Sequence, residues 1–82
     1  IIDAGGIDLI VRMMEEHGDS NASVAEDGCG VLWIFADTNA NNKGKILTAN
    51  GVSIVERMKS TWVSNSGVQT QATKALSAVS AD

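Results

Sequence analysis

His17 is the only histidine in the chain and Cys29 the only cysteine, so neither a paired-histidine nor a CxxC metal site can be assembled from them. His17 precedes Gly18 at an expected helix end, where a cation complements the helix dipole. Cys29 falls on a helix flank and is expected to pack between structural layers. The run Asp37-Thr38-Asn39-Ala40-Asn41 begins like a calcium loop, but its sixth position is Asn42 rather than glycine and its twelfth is Thr48 rather than glutamate. Both departures argue against calcium. Asn21-Ala22-Ser23 is a glycosylation sequon in form. No serine, histidine and acid constellation and no phosphate-binding glycine loop can be read, so we expect no enzyme, no cofactor and no metal.

The composition bounds the possible classes. Eighty-two residues make at most one small domain. Six lysines and arginines against ten acids give a net charge of −4, which argues against nucleic acid as partner. The longest apolar run, Val31 to Ala36, is too short for a bilayer, and no basic region precedes an apolar stretch as in a signal peptide. With a single cysteine this fits a reducing, intracellular compartment, cytoplasm or nucleus. The charge is unevenly spread: residues 1–42 carry eight acids against Arg12, a net −7, and residues 43–82 carry five bases against two acids, a net +3. Such a gradient steers end-to-end contact or a bipolar ligand, or simply solubilises one half. The opening Ile1-Ile2, uncapped and without an initiator methionine, is expected to continue from a preceding segment.

The elements that must position any binding residues are helices. Ile7, Ile10, Val11 and Met14 recur three and four apart, the period of an amphipathic helix over Ile7–Glu16. Before it, Ile1–Ala4 reads as a last helical turn stopped by Gly5-Gly6. Ser23 and Glu26 have the form of a capping box opening a helix to about Ala36. Asp37–Asn42 reads as a polar loop, and Lys43–Ala49 as a short helix stopped by Asn50-Gly51. Val52 to about Trp62 and Val68 to about Ala81 are two more helices, with Ser66 and Gln69 repeating the capping box. There is no strand-like alternation and no proline.

Much of this is written twice. Ile1, Ala4, Gly6, Ile7, Ile10 and Met13 match Ile46, Ala49, Gly51, Val52, Val55 and Met58 at an offset of 45. Val24, Gly28, Val31, Leu32 and Phe35 match Val68, Ala72, Ala75, Leu76 and Val79 at an offset of 44. A fixed period of this size marks a stacked helical array.

The sequence Ile-Ile-x-Ala-Gly-Gly-Ile-x-x-Ile-Val at 1–11, with Ile-Leu-x-Ala-Asn-Gly-Val-x-x-Val at 46–55 and Val68-Gln69-x-x-Ala72-x-x-Ala75-Leu76, resembles the armadillo repeat. The two-helix HEAT repeat is the nearest competitor. Asp8 and Ser53 stand where the armadillo family often has proline. The resemblance implies an all-α, right-handed α-solenoid of three-helix repeats. Residues 1–45 would be a repeat lacking most of its first helix and 46–82 a second repeat, both belonging to a longer array.

The resemblance further implies a scaffold or adaptor that binds a protein or an extended peptide along the concave surface of the third helices. Alternatively, these are spacer repeats that touch no ligand. On a wheel of 100° per residue, Gly28, Leu32 and Phe35 face the core, while Glu26, Asp27, Gly30, Ile34 and Asp37 face the groove. The second copy places Thr70, Gln71, Lys74, Ala78 and Ala81 there. Trp33 lies at the margin, as a ligand anchor or as packing against the neighbouring repeat. Gly28 allows close helix approach, and Gly30 leaves room for a ligand backbone or is merely tolerated. Trp62 is expected to staple the turn that follows it. Nuclear-import adaptors of this kind carry a tryptophan and an asparagine four residues apart on that face. Here those positions are Gly30 and Ile34, then Lys74 and Ala78, so the likeness does not extend to nuclear-localisation signals. Since about three repeats are needed for stability, the 82 residues are expected to self-associate through uncovered repeat ends or to fold loosely.

Overall fold

Asparagine punctuates this chain. The computed structural model describes residues 4–80, and in it five helices follow one another: α1 (Ala4–His17), α2 (Ala22–Thr38), α3 (Ala40–Thr48), α4 (Gly51–Thr61) and α5 (Ser66–Ser80). Each of the four breaks contains an asparagine. Asn21 is extended (φ −141°, ψ 105°), and its side-chain oxygen accepts from the amides of Ser23 and Val24 at 3.0 and 3.3 Å. Asn65 accepts from the Val68 amide at 3.0 Å. Asn39, also extended, ends α2 and caps α3, accepting from the Asn41 amide at 2.9 Å. Asn50 closes α3 in the left-handed region at φ 65°, which asparagine tolerates better than most side chains.

Several expectations are corrected here. The capping boxes do not form, because the asparagine two residues before Ser23 and the one directly before Ser66 already supply the acceptor that the first amides need. Glu26 instead reaches across to α5, where its carboxylate lies against Gly67 in the first turn. Gln69 donates to the carbonyls of Lys59 and Trp62 at 2.8 and 2.9 Å, satisfying the end of α4. The polar loop over Asp37–Asn42 is absent. Asn42 is buried and donates its side-chain amide to the Phe35 carbonyl at 3.0 Å, so α2 ends internally satisfied and the chain turns at Asn39 alone. Nor do Gly5 and Gly6 stop a helix, since both lie inside α1 and no described glycine has positive φ. At a first turn, where amides lack intrahelical partners anyway, glycine costs only its propensity, about 1 kcal/mol. Residues 1–3 of the expected preceding turn, and Ala81, lie outside the described residues.

The core is aliphatic and sulfur-rich. Ile7, Met14, Leu32, Ile46, Met58, Val68 and Cys29 are its largest fully buried side chains. Burial pushes the Cys29 thiol up to about 11. The two longest helices, α2 and α5, make the most extensive helix pair, with Ala25, Gly28, Ala72 and Ala75 buried among its small residues. A Cβ on Gly28 would collide with the Met14 side chain, which is itself fully buried, so the close approach inferred for Gly28 is between α1 and α2. The Cα radius of gyration of 11.1 Å matches a compact domain, for which about 12 Å is expected at this length.

The repeat is visible in backbone and burial at an offset of 44. The Gly18 amide bonds to the Met14 carbonyl at 2.8 Å and that of Trp62 to Met58 at 2.9 Å. After each turn, Ala25 bonds to Asn21 and Gln69 to Asn65, at 3.1 and 3.0 Å. Val11 and Val55 are 3% and 2% exposed, and Met14 and Met58 are both fully buried, whereas Met13 is 39% exposed. One residue rotates a helix by about 100°, so the sequence match of Met13 to Met58 is one step off the structural register.

The second unit docks onto the first at the Gly18–Asp19 corner. Met58 fills the space over Gly18, and the Trp62 indole donates to the Gly18 carbonyl at 2.6 Å. Arg57 donates its Nε to Asp19 at 3.1 Å and its Nη2 to the Glu15 carbonyl at 3.3 Å. Trp62, expected to staple its own turn, instead ties the two turns together.

Two measurements follow from these junctions. Asn21→Ala should lower unfolding free energy by about 1 kcal/mol in denaturant titrations, while Ser23→Ala should leave it nearly unchanged. Hydrogen bonding and charge from Arg57, with a further bond from the Thr61 hydroxyl, hold the Asp19 carboxyl below the usual carboxylate range. Its depressed folded pKa means stability that is present above the unfolded value of about 3.9 and lost as pH falls through the folded one. Thermal melts over about pH 2 to 6 should show a shallower acid limb for Asp19→Asn than for the wild type.

Candidate protein-docking surface

The side chains that face solvent where α2 meets α5 form a shallow open depression of about 440 Å³. Six of the eleven residues expected on the groove or its margin line it: Glu26, Asp27, Gly30, Trp33, Ile34 and Gln71. The helical period explains the α2 members. Gly30 and Ile34 are four apart on one face, Glu26 precedes them by another turn, and Asp27 and Trp33 flank them. Val31, expected on neither face, also lines it and is half-buried. Lys74 stands at the edge, its Nζ 4.8 Å from the Trp33 ring centroid. Such a cation–π contact at an exposed site contributes about 0.5–1 kcal/mol. Trp33 is half-buried against the core and stacks under Lys74 of α5 while lining the depression.

Three expected residues are not brought in. Asp37 is exposed at the end of α2. Thr70 bonds back to the Ser66 carbonyl at 2.8 Å, and Ala78 packs, half-buried, against the core.

The depression has an apolar floor with acidic sides. Ile34 is 50% exposed, a large apolar side chain left in solvent. Asp27 is exposed and Glu26 half-buried, its carboxylate held at the start of α5, where the helix dipole favours an anion. Within it sits the buried Oε1 of Gln71, which has no hydrogen-bond partner. An unsatisfied buried acceptor costs about 1–3 kcal/mol. A Cβ on Gly30 would lie 3.4 Å from that same oxygen, an ordinary van der Waals contact, so position 30 has room for an alanine.

A second depression was not anticipated. Leu9, Ile10, Arg12, Met13, Glu16 and His17 enclose about 370 Å³ on the outer side of α1. Its signal in the sequence is that Leu9 and Met13 fall off the apolar stripe formed by Ile7, Val11 and Met14. His17 is exposed at the end of α1, as its position before Gly18 suggests. Among the described residues no three of His, Cys, Asp and Glu are grouped to hold a metal, and no helix is long and apolar enough to cross a membrane.

Alanine at Gly30 gains helix propensity and meets only the flexible Gln71 amide. Gly30→Ala should therefore raise the unfolding free energy by up to about 1 kcal/mol in denaturant titrations. Gly28→Ala, against buried Met14, should lower it by about 1–3 kcal/mol. Comparison of the chain with protein-family models, with curated proteins and with solved structures gives no match.

Proposed function

We propose that the chain is a protein-interaction module that receives an extended, basic segment of a partner in the depression between α2 and α5. The observation that carries this reading is the convergence of the exposed Ile34, the acidic Glu26 and Asp27 and the unpartnered Gln71 oxygen on one surface. Each supplies a different part of peptide recognition: an apolar contact, attraction for lysine or arginine, and an acceptor for a backbone amide.

The armadillo reading of the fold belongs to the same proposal. Helices α3, α4 and α5 have 9, 11 and 15 residues, the order of short, medium and long that a three-helix repeat requires. Helices α1 and α2 supply the medium and long members of a first repeat, and the 44-residue displacement between the units supports stacking into a right-handed solenoid. A spacer role, without ligand, is favoured by Leu9 and Met13, whose exposure suits a neighbouring repeat.

Selection from a random peptide library separates the two. The docking reading expects enrichment of extended peptides rich in lysine or arginine, and their binding should quench or shift tryptophan fluorescence. Ile34→Asp, at an exposed position, should weaken binding at least about tenfold with unchanged circular dichroism. Selected peptides that bind the Ile34→Asp chain as well as the wild type would overturn the docking reading and leave the spacer role.

A further inference from the structure

The outer face of α1 has a counterpart inside the molecule. At the junction of α1 with α4, Glu15 and four residues from Asn50 through α4, among them Ser53, Ile54 and Arg57, enclose a smaller groove of about 90 Å³. Moved back by the 44-residue repeat, Ser53, Ile54 and Arg57 become Leu9, Ile10 and Met13, three residues of the depression on α1. The depression is therefore the first unit's counterpart of the surface with which the second unit grips the turn before it. We infer that it receives the Trp62–Val63 turn of another copy of this chain, in a head-to-tail contact.

Two of the residue pairs that would meet there support the assignment. Inside the molecule, Arg57 grips Asp19. The same shift places Met13 opposite Val63, and these two apolar side chains are 39% and 71% exposed. Gly30 and Gln71, in close approach between α2 and α5, become Lys74 and Asp27, both exposed and oppositely charged. Where the internal junction uses an ion pair, the external one matches apolar with apolar. Where the internal one has a neutral contact, the external one matches opposite charges.

Net charge favours the same polarity, because the contact sets the basic half of one copy (net +3) against the acidic half of the next (net −7). A two-fold contact between α1 faces would instead bring two acidic halves together. The outer side of α5 bears Thr73, Ser77 and Ser80 where α2 bears Cys29, Trp33 and Ala36. The contact thus closes chiefly through Met13 and Val63, and it is reversible. It rests on the internal repeat and charge and not on peptide binding; Asp27 and Lys74 border both surfaces, but Ile34 belongs to the depression between α2 and α5 alone and Met13 and Val63 lie outside it, so either proposal can fail without the other.

Sedimentation velocity of the 82-residue chain over a concentration series tests it. The wild type should form species that grow with concentration beyond the dimer, since a head-to-tail contact leaves a free end at each side. Met13→Asp and Val63→Asp should each run as monomers with unchanged circular dichroism. An equimolar mixture of the two should form a dimer and stop, because one variant keeps the Val63 turn and the other keeps the Met13 face. A wild type that stays monomeric, a mixture that stays monomeric, or a Val63→Asp chain that still associates would each overturn the inference.

Discussion

The structure depends on one side chain crossing from the second helix–turn–helix unit to the first. Met58 lies fully buried over Gly18, a position where any Cβ would collide with its sulfur. Around that contact the Trp62 indole and the Arg57 guanidinium fix the same corner by hydrogen bonds. The apolar contact supplies burial and the polar ones supply direction, which fixes how α4 and its turn sit on α1. With that settled, α5 lies along α2, and their meeting line carries the shallow depression. Met14 makes the matching contact within the first unit, over Gly28. A flexible thioether opposite a glycine is thus used twice, once to close a unit and once to join two.

Helical periodicity made much of this legible in the sequence. The five helices follow from apolar spacing and the absence of proline, and the α2 side of the depression follows from 100° per residue. The errors lie where several polar residues compete for one job. Ser23 and Asn21 are both good caps, and Glu26 is three residues from Ser23, so the local pattern favours a capping box. The tertiary structure takes Glu26 to α5 and leaves the cap to Asn21. Asn42 looks like loop because asparagine is seldom buried, and only its bond to the Phe35 carbonyl explains why it is. The register of the repeat was also ambiguous, because Met13 and Met14 are adjacent and identity alone cannot choose between them.

The depression between α2 and α5 gathers several locally unfavourable features in one place. Gly30 weakens a helix, Gln71 keeps an unsatisfied oxygen and Ile34 is exposed, and all three lie in one depression. Elsewhere the polar groups are better provided for: Asn42 and Trp62 each have partners, and Gln69 has two. A chain with a small core has little stability to spare, so three unfavourable features gathered together are compatible with folding only because the neighbouring junctions are well satisfied.

The asparagine junctions also bear on time. Every reversal of this chain is made without proline, so no step waits on peptide-bond isomerisation, which takes tens of seconds at room temperature. Helices form in about a microsecond and turns of this length close faster still. A protein assembled this way refolds without a phase that depends on how long the chain has been unfolded.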